Sequence, residues 1–236
     1  MDLYDYIYKR KSVRNYDMAP LDDERMNQVE RFVKNLRPLW PGIETAYEIL
    51  TNVKGITTLT APHYLAISSE KADGYLENIG FMLQQLDLFL SSEGLGACWF
   101  GAAKKPAGLK SSLRYVITLA FGQPAGSPYR EISEFNRKPL SEISSGSDER
   151  IEAARLAPSS VNFQNWFFAA ADGKIEVYRK KSILSAEPHL GDMNKIDIGI
   201  ALCHLYIATE HFGREFVFTK ETGKAKKGYV YVGTVD

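Results

Sequence analysis

The segments IGFMLQQLDLFLSSEG (residues 79–94) and IGIALCHLYIATEHFG (residues 198–213) decide the fold of this 236-residue chain, because they align with each other without a gap. Both begin with Ile-Gly, both place two leucines one helical turn apart, and both end with glycine. Their many apolar residues predict a buried helix, and the closing glycine predicts its C-terminal cap. We therefore expect two long core helices at matching places in the chain.

The elements around these two helices follow in the same order. Each helix is followed by an apolar strand that ends at glycine, YVITLAFG (115–122) in one case and YVYVG (229–233) in the other. Each is preceded by a helix that begins Asp-Glu-Arg, at Asp23 and at Asp148. Two unrelated core helices are the alternative, because leucine-rich helices agree by chance quite often. The shared order favours a duplicated α+β unit.

Hydrophobic periodicity and turn residues place the remaining elements. Helices are predicted near 2–9, 22–36, 73–92, 148–157 and 193–212, and strands near 46–51, 63–68, 114–121, 165–171, 174–179, 215–219 and 228–234. Asp172-Gly173 between two strands predicts a tight hairpin. Because the regular alternation of a parallel sheet is missing, we expect an α+β fold with a mostly antiparallel sheet. The halves are 1–126 and 148–236, joined by a polar crossover, 127–147.

Charge and composition exclude several classes of partner. Lysine and arginine number 29, as do aspartate and glutamate, so no broad basic surface favours nucleic acid or an anionic membrane. No apolar run is long enough for a signal peptide or a membrane span, and we expect a soluble, cytoplasmic protein. The two cysteines, Cys98 and Cys203, are too few for a disulfide framework and are predicted to be packing residues.

Common catalytic motifs are missing from the sequence. The stretch GLGACWFG (94–101) follows a helix and lacks both the Rossmann spacing and the Lys-Ser/Thr of a phosphate loop. There is no Gly-x-Ser-x-Gly nucleophile motif, so hydrolysis has no support. The histidines show no tight metal-ligand spacing, and no metal site is predicted; they are His63, His189, His204 and His211.

Two polar segments remain to be explained. The stretch YKRKSVRNYD (8–17) brings three cations and a hydroxyl together in Arg10, Lys11, Ser12 and Arg14. Guanidinium and hydroxyl groups suit a phosphate, although a solvated basic helix end is the alternative. Arg137 and Lys138 in the crossover offer the same choice. The second segment is LAPSSVNFQNW (156–166), in which Pro158 ends a helix and small hydroxyl and amide side chains follow beside aromatic residues.

Together, RKSVRNYD (10–17) and APSSVNFQNW (157–166) closely resemble two motifs of the nitroreductase family, flavoenzymes that hold FMN at the interface of a two-fold dimer. Asn165 stands where the family usually has proline. GLGACWFGAA (94–103) resembles the family's flavin-edge segment, and RKPL (137–140) its late phosphate-binding segment. The resemblance spans nearly the whole chain and implies a nitroreductase-like α+β fold.

One departure from the family explains the internal repeat. The serine-asparagine motif ordinarily lies a few tens of residues after the arginine motif, but here that place holds VERFVKNLRPLWPG (29–42). The second half has the serine-asparagine motif and lacks the full arginine motif. The chain therefore resembles the branch in which two nitroreductase-like halves are fused and imitate the dimer. We expect one FMN per chain and a monomer, with a homodimer not required for the cofactor.

The resemblance implies a set of cofactor-binding residues. Arg10, Ser12, Arg137 and Lys138 would neutralise the FMN phosphate, with Lys11 adding backbone contacts. Arg14, or less directly Lys54, would place a cation near the ring atoms N1 and O2, where the reduced flavin is negative. The remaining contacts are expected from the backbone of Trp99, Phe100, Gly101 and Ala102 and from Pro158, Ser159, Ser160 and Asn162.

The resulting functional hypothesis is an FMN-dependent oxidoreductase that takes hydride from NAD(P)H and passes it to a small electron-poor acceptor, such as a nitroaromatic or a quinone. The protein need supply no acid or base of its own, because the flavin performs the redox step. Aromatic side chains either sandwich a planar acceptor or fill that space; they are Trp40, Trp99, Phe163 and Trp166. The alternative is a flavin-binding sensor or carrier without turnover.

Overall fold

The computed structural model describes residues 2–181, 188–220 and 224–236, apart from the side chains of residues 188 and 189. The helices are α1 (Tyr4–Ile7), α2 (Asp23–Lys34), α3 (Tyr75–Ser92), α4 (Leu140–Ile143), α5 (Arg150–Arg155) and α6 (Pro188–His211). The strands are β1 (Thr45–Leu50), β2 (His63–Ser69), β3 (Gly96–Phe100), β4 (Arg114–Gly122), β5 (Ser144–Ser145), β6 (Trp166–Ala171), β7 (Lys174–Lys180), β8 (Phe218–Thr219) and β9 (Tyr229–Val235). The fold is mixed α+β, as the sequence predicted.

The strands divide between two sheets, whereas the sequence predicted one. The first sheet has the order β1-β2-β4-β3, and all of its neighbours are antiparallel. The second has the order β5-β6-β7-β9-β8, and its only parallel pair is β5 with β6. In both sheets an antiparallel pair of strands precedes a long helix and two further strands follow it, the later of which lies on the inside; the second sheet has the short β5 in addition. Both central pairs, β2 with β4 and β7 with β9, also contain a register shift.

The two long helices α3 and α6 pack directly against each other. A Cβ on Gly80 would overlap the carbonyl oxygen of Ile196, and a Cβ on Gly199 would overlap the carbonyl oxygen of Glu77. The backbones therefore approach more closely than any side chain would allow. Buried apolar residues from both helices and both sheets form one continuous core.

Local predictions for helix ends and for the hairpin are confirmed. Gly94 follows α3 with φ of 71°, and Gly213 follows α6 with φ of 70°, so both glycines adopt the left-handed conformation that ends a helix. Asp172 and Gly173 have φ of 52° and 76° and connect β6 to β7 in a two-residue turn. Positive φ at both positions fits the twist of antiparallel strands.

Three elements were missed by sequence analysis. β3 lies inside GLGACWFG, where no strand was predicted, and pairs with β4 from Gly96 to Phe100. The crossover contains the short α4 and β5 rather than irregular chain alone. α6 also begins five residues before the predicted start. Within the described chain, no helix is long and apolar enough to cross a bilayer.

Candidate functional site

The arginine segment runs along the edge of the first sheet. The backbone N–H of Val13 donates to the carbonyl oxygen of Ala97 in β3 at 2.9 Å. On the other side, the N–H of Arg130 donates to the carbonyl oxygen of Lys9 at 2.9 Å. These contacts fix residues 10–13 between β3 and the crossover.

Arg10 is almost fully buried, with 1% of its surface exposed. Its Nε lies 3.1 Å from Oδ2 of Asp87 on α3, without hydrogen-bond alignment, and its Nη2 donates to Oγ of Ser12 at 3.3 Å. Burial raises the pKa of the Asp87 carboxyl, and the charge of Arg10 opposes that rise. Asp87 therefore fixes the position of this guanidinium from the core side.

Two further arginines stand beside Arg10. Nε of Arg130 donates to the Arg10 carbonyl oxygen at 3.1 Å, and its guanidinium lies 3.6 Å from the ring centroid of Phe135. Burial, and then the charge of Arg10, lowers the pKa of Arg130 to about 10. Burial, and then the charges of Arg130 and Arg10, lowers the pKa of Arg137 to about 9. Such crowding of positive charge is relieved by binding an anion.

The serine-asparagine segment forms a strained turn. The N–H of Ser160 donates to Oδ1 of Asp197 on α6 at 2.9 Å, and the N–H of Gln164 donates to Oγ of Ser159 at 3.0 Å. Three of its residues have positive φ, and for the β-branched Val161 a value of 43° is unfavourable. Val161 is also 72% exposed, so its own burial does not offset that cost. Strain of this kind is concentrated at ligand-binding turns.

Residues of the crossover hold this turn in place. Nη1 of Arg137 donates to Oδ1 of Asn162 at 3.0 Å. The backbone N–H of Lys138 donates to Oε1 of Gln164 at 2.8 Å, and its Nζ donates to the carbonyl oxygen of Phe163 at 2.8 Å. The ammonium of Lys138 is thus bound to backbone carbonyls, whereas the sequence predicted a phosphate contact. Arg137 lines the cationic cavity described next, and its guanidinium donates to Oδ1 of Asn162 and to the carbonyl oxygen of Leu156.

The arginine segment, the crossover and the strained turn enclose a cationic cavity of about 480 Å³. It is lined by Arg10, Lys11, Ser12, Arg14, Arg130, Glu134, Asn136, Arg137, Pro158, Ser159, Val161 and Asn162. Five of these side chains are cationic and one is acidic. The predicted residues of segments 10–14 and 158–162 are therefore brought together, although about 145 residues separate them.

An apolar cavity of about 370 Å³ adjoins the cationic cavity. It is lined by Ser12, Arg14, Ile56, Cys98, Trp99, Gly101, Ala102, Ile117, Pro158, Ser159, Ser160, Val161, Leu190, Met193, Ile196, Asp197 and Ile200. The cavities share Ser12, Arg14, Pro158, Ser159 and Val161. A molecule with an anionic end and a flat apolar end would fit this combined shape.

Asp197 is a residue of the apolar cavity that sequence analysis did not single out. It is 3% exposed, and burial raises the pKa of its carboxyl to about 7 against the opposing hydrogen bond from Ser160. Its Oδ2 has no hydrogen-bond partner among the described residues. The sequence signal was a single acid in the apolar helix segment KIDIGIAL (195–202). Arg130, also missed, lies in a crossover where only Arg137 and Lys138 were considered.

Other predicted site residues lie outside both cavities. Lys54 is exposed, and its carbonyl oxygen accepts a hydrogen bond from the N–H of Lys104. Phe100 is buried and faces Gly55. Cys98 and Trp99 of β3 line the apolar cavity, whereas Phe100 does not.

The aromatic residues divide in a similar way. Trp99 alone among the four proposed stacking residues lines the apolar cavity, and its Nε1 donates to Oε1 of Gln84 at 3.3 Å. Trp166 is buried in the second sheet beside Phe168, and Trp40 packs against Phe218. Within the described part of the chain, no three His, Cys, Asp or Glu side chains form a metal-binding cluster; the side chain of His189 lies outside it.

Comparison with known proteins identifies a family that this chain matches. Residues 2–209 match the family described as "Putative TM nitroreductase". The fold is similar to a crystal structure of "a putative nitroreductase" from Thermotoga maritima, with a TM-score of 0.69 and 23% identity over 100% of this chain and 92% of that one.

Two structures from Clostridium difficile resemble part of the chain. A nitroreductase family protein has a TM-score of 0.49 and 19% identity over 63% of this chain and 99% of that one. An FMN-dependent nitroreductase has a TM-score of 0.46 and 12% identity over 61% of this chain and 98% of that one. No curated protein matches the chain significantly.

Proposed function

This chain belongs to the nitroreductase family described as "Putative TM nitroreductase", and from that premise we propose that it is an FMN-dependent oxidoreductase. In this proposal it takes hydride from NAD(P)H and delivers it to a small electron-poor acceptor such as a nitroaromatic or a quinone. The observation that carries the proposal is the cationic cavity adjoining an apolar one. FMN has one phosphate, a polar chain and a flat ring, and the residues present fit each part. Bound FMN would supply the two-electron chemistry.

The cationic cavity would hold the phosphate. Arg10, Arg130 and Arg137 each bring a guanidinium to it, and a phosphate dianion would relieve the repulsion that lowers the pKa of Arg130 and Arg137. Arg10 is fixed by Asp87, so little side-chain freedom remains to be lost on binding.

Arg14 occupies the junction between phosphate and ring. It lines both cavities, and it is exposed rather than paired with a buried acid. A cation at this junction would stabilise negative charge on a reduced ring more than it stabilises the neutral oxidised ring. We therefore assign Arg14 the role of raising the reduction potential.

The apolar cavity would hold the ring and exclude water. Trp99 is fixed by its hydrogen bond to Gln84, while Ile117 and Met193 are buried side chains of the wall. At Gly101 a Cβ would lie 3.3 Å from Sδ of Met193, so a larger residue there would narrow the space. Small residues at this edge leave room for a donor or acceptor to approach.

We further propose that the chain consists of two fused nitroreductase-like halves and forms one FMN site without a partner. The matching strand orders of the two sheets and the reciprocal glycine contacts of α3 and α6 support this. The arginine segment and the serine-asparagine turn each occur once, so one site per chain is expected. A monomer is then sufficient, and a homodimer is not required.

The central test is anaerobic stopped-flow spectroscopy of the FMN-loaded protein. Mixing with NADH or NADPH should bleach the flavin absorbance, and menadione or a nitroaromatic should restore it. Absence of bleaching with both donors would contradict the oxidoreductase assignment. Bleaching without recovery by any acceptor would instead support a flavin-binding sensor or carrier.

A variant of Arg14 tests the role of the chain's own charge. Arg14→Gln should lower the flavin reduction potential while weakening binding of oxidised FMN less than about tenfold, because the charge acts chiefly on the reduced form. Arg31→Gln, an exposed change on α2, is the matched control and should leave the potential unchanged. An equal or higher potential in Arg14→Gln would show that the cation lies elsewhere.

A further inference from the structure

Among the residues that the structure describes, Asp197 is the one acidic side chain that lines the apolar cavity. It lies on α6, is 3% exposed, and uses only Oδ1 for a hydrogen bond, from the N–H of Ser160 at 2.9 Å. Its Oδ2 is buried and has no hydrogen-bond partner in the described chain. A buried polar atom without a partner costs free energy, so the site favours a ligand atom that completes it.

The surroundings of Asp197 favour the neutral acid. Burial raises the pKa of its carboxyl to about 7, and the Ser160 N–H is what opposes that rise. The other titratable groups that the described residues place on the cavity wall are Arg14, which is exposed, and Cys98, whose thiol pKa is raised by burial. On α3, which packs across α6, the carboxyl pKa of Glu77 is also raised by burial. Near neutral pH a large fraction of the molecules therefore carries a proton on Asp197.

We propose that Asp197 is a ligand-binding residue whose protonated Oδ2 donates a hydrogen bond to an acceptor atom of a planar ring in the apolar cavity. The proposal rests on the proposed function, because the flavin ring is one such ligand and a quinone or nitroaromatic acceptor is another. Both carry carbonyl, nitro or ring-nitrogen acceptors. The surrounding Ile117, Ile196 and Ile200 offer the ring apolar contact and no competing hydrogen bond.

This role predicts how affinity changes with pH. The neutral acid donates through Oδ2, whereas the carboxylate has no proton to donate and repels the ligand's acceptor atom. Asp197→Asn keeps an oxygen for the Ser160 N–H and an amide donor at the position of Oδ2. The asparagine variant should therefore imitate the protonated wild type at every pH, while the wild type should lose affinity as pH rises through the pKa.

The first experiment titrates lumiflavin into the apoprotein and follows flavin fluorescence. Lumiflavin has the ring without the phosphate, so the cationic cavity does not contribute. Between about pH 5.5 and about pH 8.5 wild-type affinity should fall about fivefold to tenfold, and Asp197→Asn should show no such fall. Asp192→Asn is the matched control, because Asp192 lies on the same helix outside both cavities. It should behave like the wild type.

A structural readout accompanies the affinities. Infrared difference spectra of aspartate-labelled apoprotein should contain the carbonyl band of a protonated carboxyl, absent from Asp197→Asn. That band should shift when lumiflavin is added, because a new hydrogen bond weakens the carbonyl stretch. A purely structural role in holding Ser160 would give no shift on adding the ring.

A second titration distinguishes the two sources of the ring. Menadione is added to the FMN-loaded protein at the same two pH values. A pH effect with lumiflavin assigns Asp197 to the flavin ring, and an effect with menadione alone assigns it to the acceptor. Equal pH profiles in the wild type and Asp197→Asn for both probes, or no binding of either, would overturn the inference. Failure to bind FMN would overturn the proposed function, while lumiflavin and menadione titrations of the apoprotein would still decide the role of Asp197.

Discussion

The crossing of α3 and α6 has two matching sides, which we call the packed end, around Asn78, and the open end, around Asp197. They share one backbone arrangement and differ in the side chains that occupy the space beside it. Asn78 on α3 and Asp197 on α6 each precede an Ile-Gly pair at the helix crossing. Oδ1 of Asn78 accepts the backbone N–H of Trp40 at 2.9 Å, and Oδ1 of Asp197 accepts that of Ser160 at 2.9 Å. In both side chains the second polar atom is buried without a partner among the described residues.

The residues anchored at the two ends have very different sizes. Trp40 places its indole against Gly74 and 5.3 Å from the ring centroid of Phe218. At the opposite end Ser159 and Ser160 have small side chains and border the apolar cavity. The same backbone contact, made by an amide at one end and a carboxyl at the other, therefore leads to a packed end or an open end according to the size of the anchored residue.

The largest effect is expected from a substitution at the contact between α3 and α6, because it disturbs both ends at once. Gly199→Val would push a side chain into the carbonyl oxygen of Glu77, so α3 and α6 must separate. We expect a loss of about 4 kcal/mol of stability, measured by urea unfolding. Gly42→Ala is the control, because a Cβ there meets nothing within 4 Å. Similar midpoints for both variants would show that the close helix contact does not support the fold.

The next effect concerns the charge at the open end. The carboxyl pKa of Asp197 is raised from 3.8 to about 7, so the folded state binds a proton more tightly than the unfolded state. The contribution of Asp197 to wild-type stability should therefore fall as pH rises from about 4 to about 7 and change no further above that. Asp197→Asn removes this loss and should be up to about 4 kcal/mol more stable than the wild type near pH 8.

The reverse substitution at the packed end tests the same effect of burial on a carboxyl. Asn78 is fully buried, so Asn78→Asp should destabilise the protein increasingly as pH rises, for the same reason of burial. Thermal melts at about pH 4.5 and about pH 8 measure both variants. A pH-independent difference between a variant and the wild type would show that the carboxyl at that position, in the wild type for Asp197 or in the variant for Asn78→Asp, remains hydrated in the folded protein.

A smaller effect is expected at Trp40 itself. Trp40→Ala should cost about 2 kcal/mol, because the indole is only partly buried. Under the proposed function, bound flavin should remain one per chain, since the space opened there lacks the paired serines of segment 158–162. Unfolding curves and the ratio of flavin to protein absorbance measure the two quantities. A second bound FMN would show that the indole alone closes an otherwise equivalent site.

The smallest effect is expected from a variant that distinguishes the role of the cationic cavity from that of the apolar cavity. Arg130→Gln should weaken FMN binding about tenfold and leave lumiflavin binding unchanged, because Arg130 lines the cationic cavity only. Arg10 is a poorer choice, since its removal would leave Asp87 buried without its partner. Arg31→Gln again serves as the control. Equal losses for FMN and lumiflavin would mean that Arg130 acts through the fold instead.

Sequence reasoning succeeded where the signal is local. The glycine caps, the Asp172-Gly173 hairpin and the long buried helices depend on neighbouring residues and were predicted correctly. β3 was missed because a five-residue apolar run bounded by glycines has no periodicity of its own, and its pairing with β4 is not local.

Sequence analysis placed only part of the candidate site, because the charge of a residue does not show which way its side chain points. Lys138 was assigned to a phosphate from its charge and from the resemblance of RKPL to a phosphate-binding segment, and its ammonium donates to the carbonyl oxygen of Phe163. Arg130 was overlooked because a cation beside Phe135 in a polar crossover resembles an ordinary surface arginine. Predicting that Asp197 lines the cavity requires knowing which face of α6 borders it, and that face is set by the helix crossing at Gly199.

The matching but unequal positions of Asn78 and Asp197 have a consequence for how this protein evolves. In a dimer of identical chains one codon specifies both copies of a position, so every mutation alters the two ends together. Here two codons specify the two ends, and an amide at one coexists with an acid at the other. Selection is then free to change the packed end for stability while the open end keeps its chemistry.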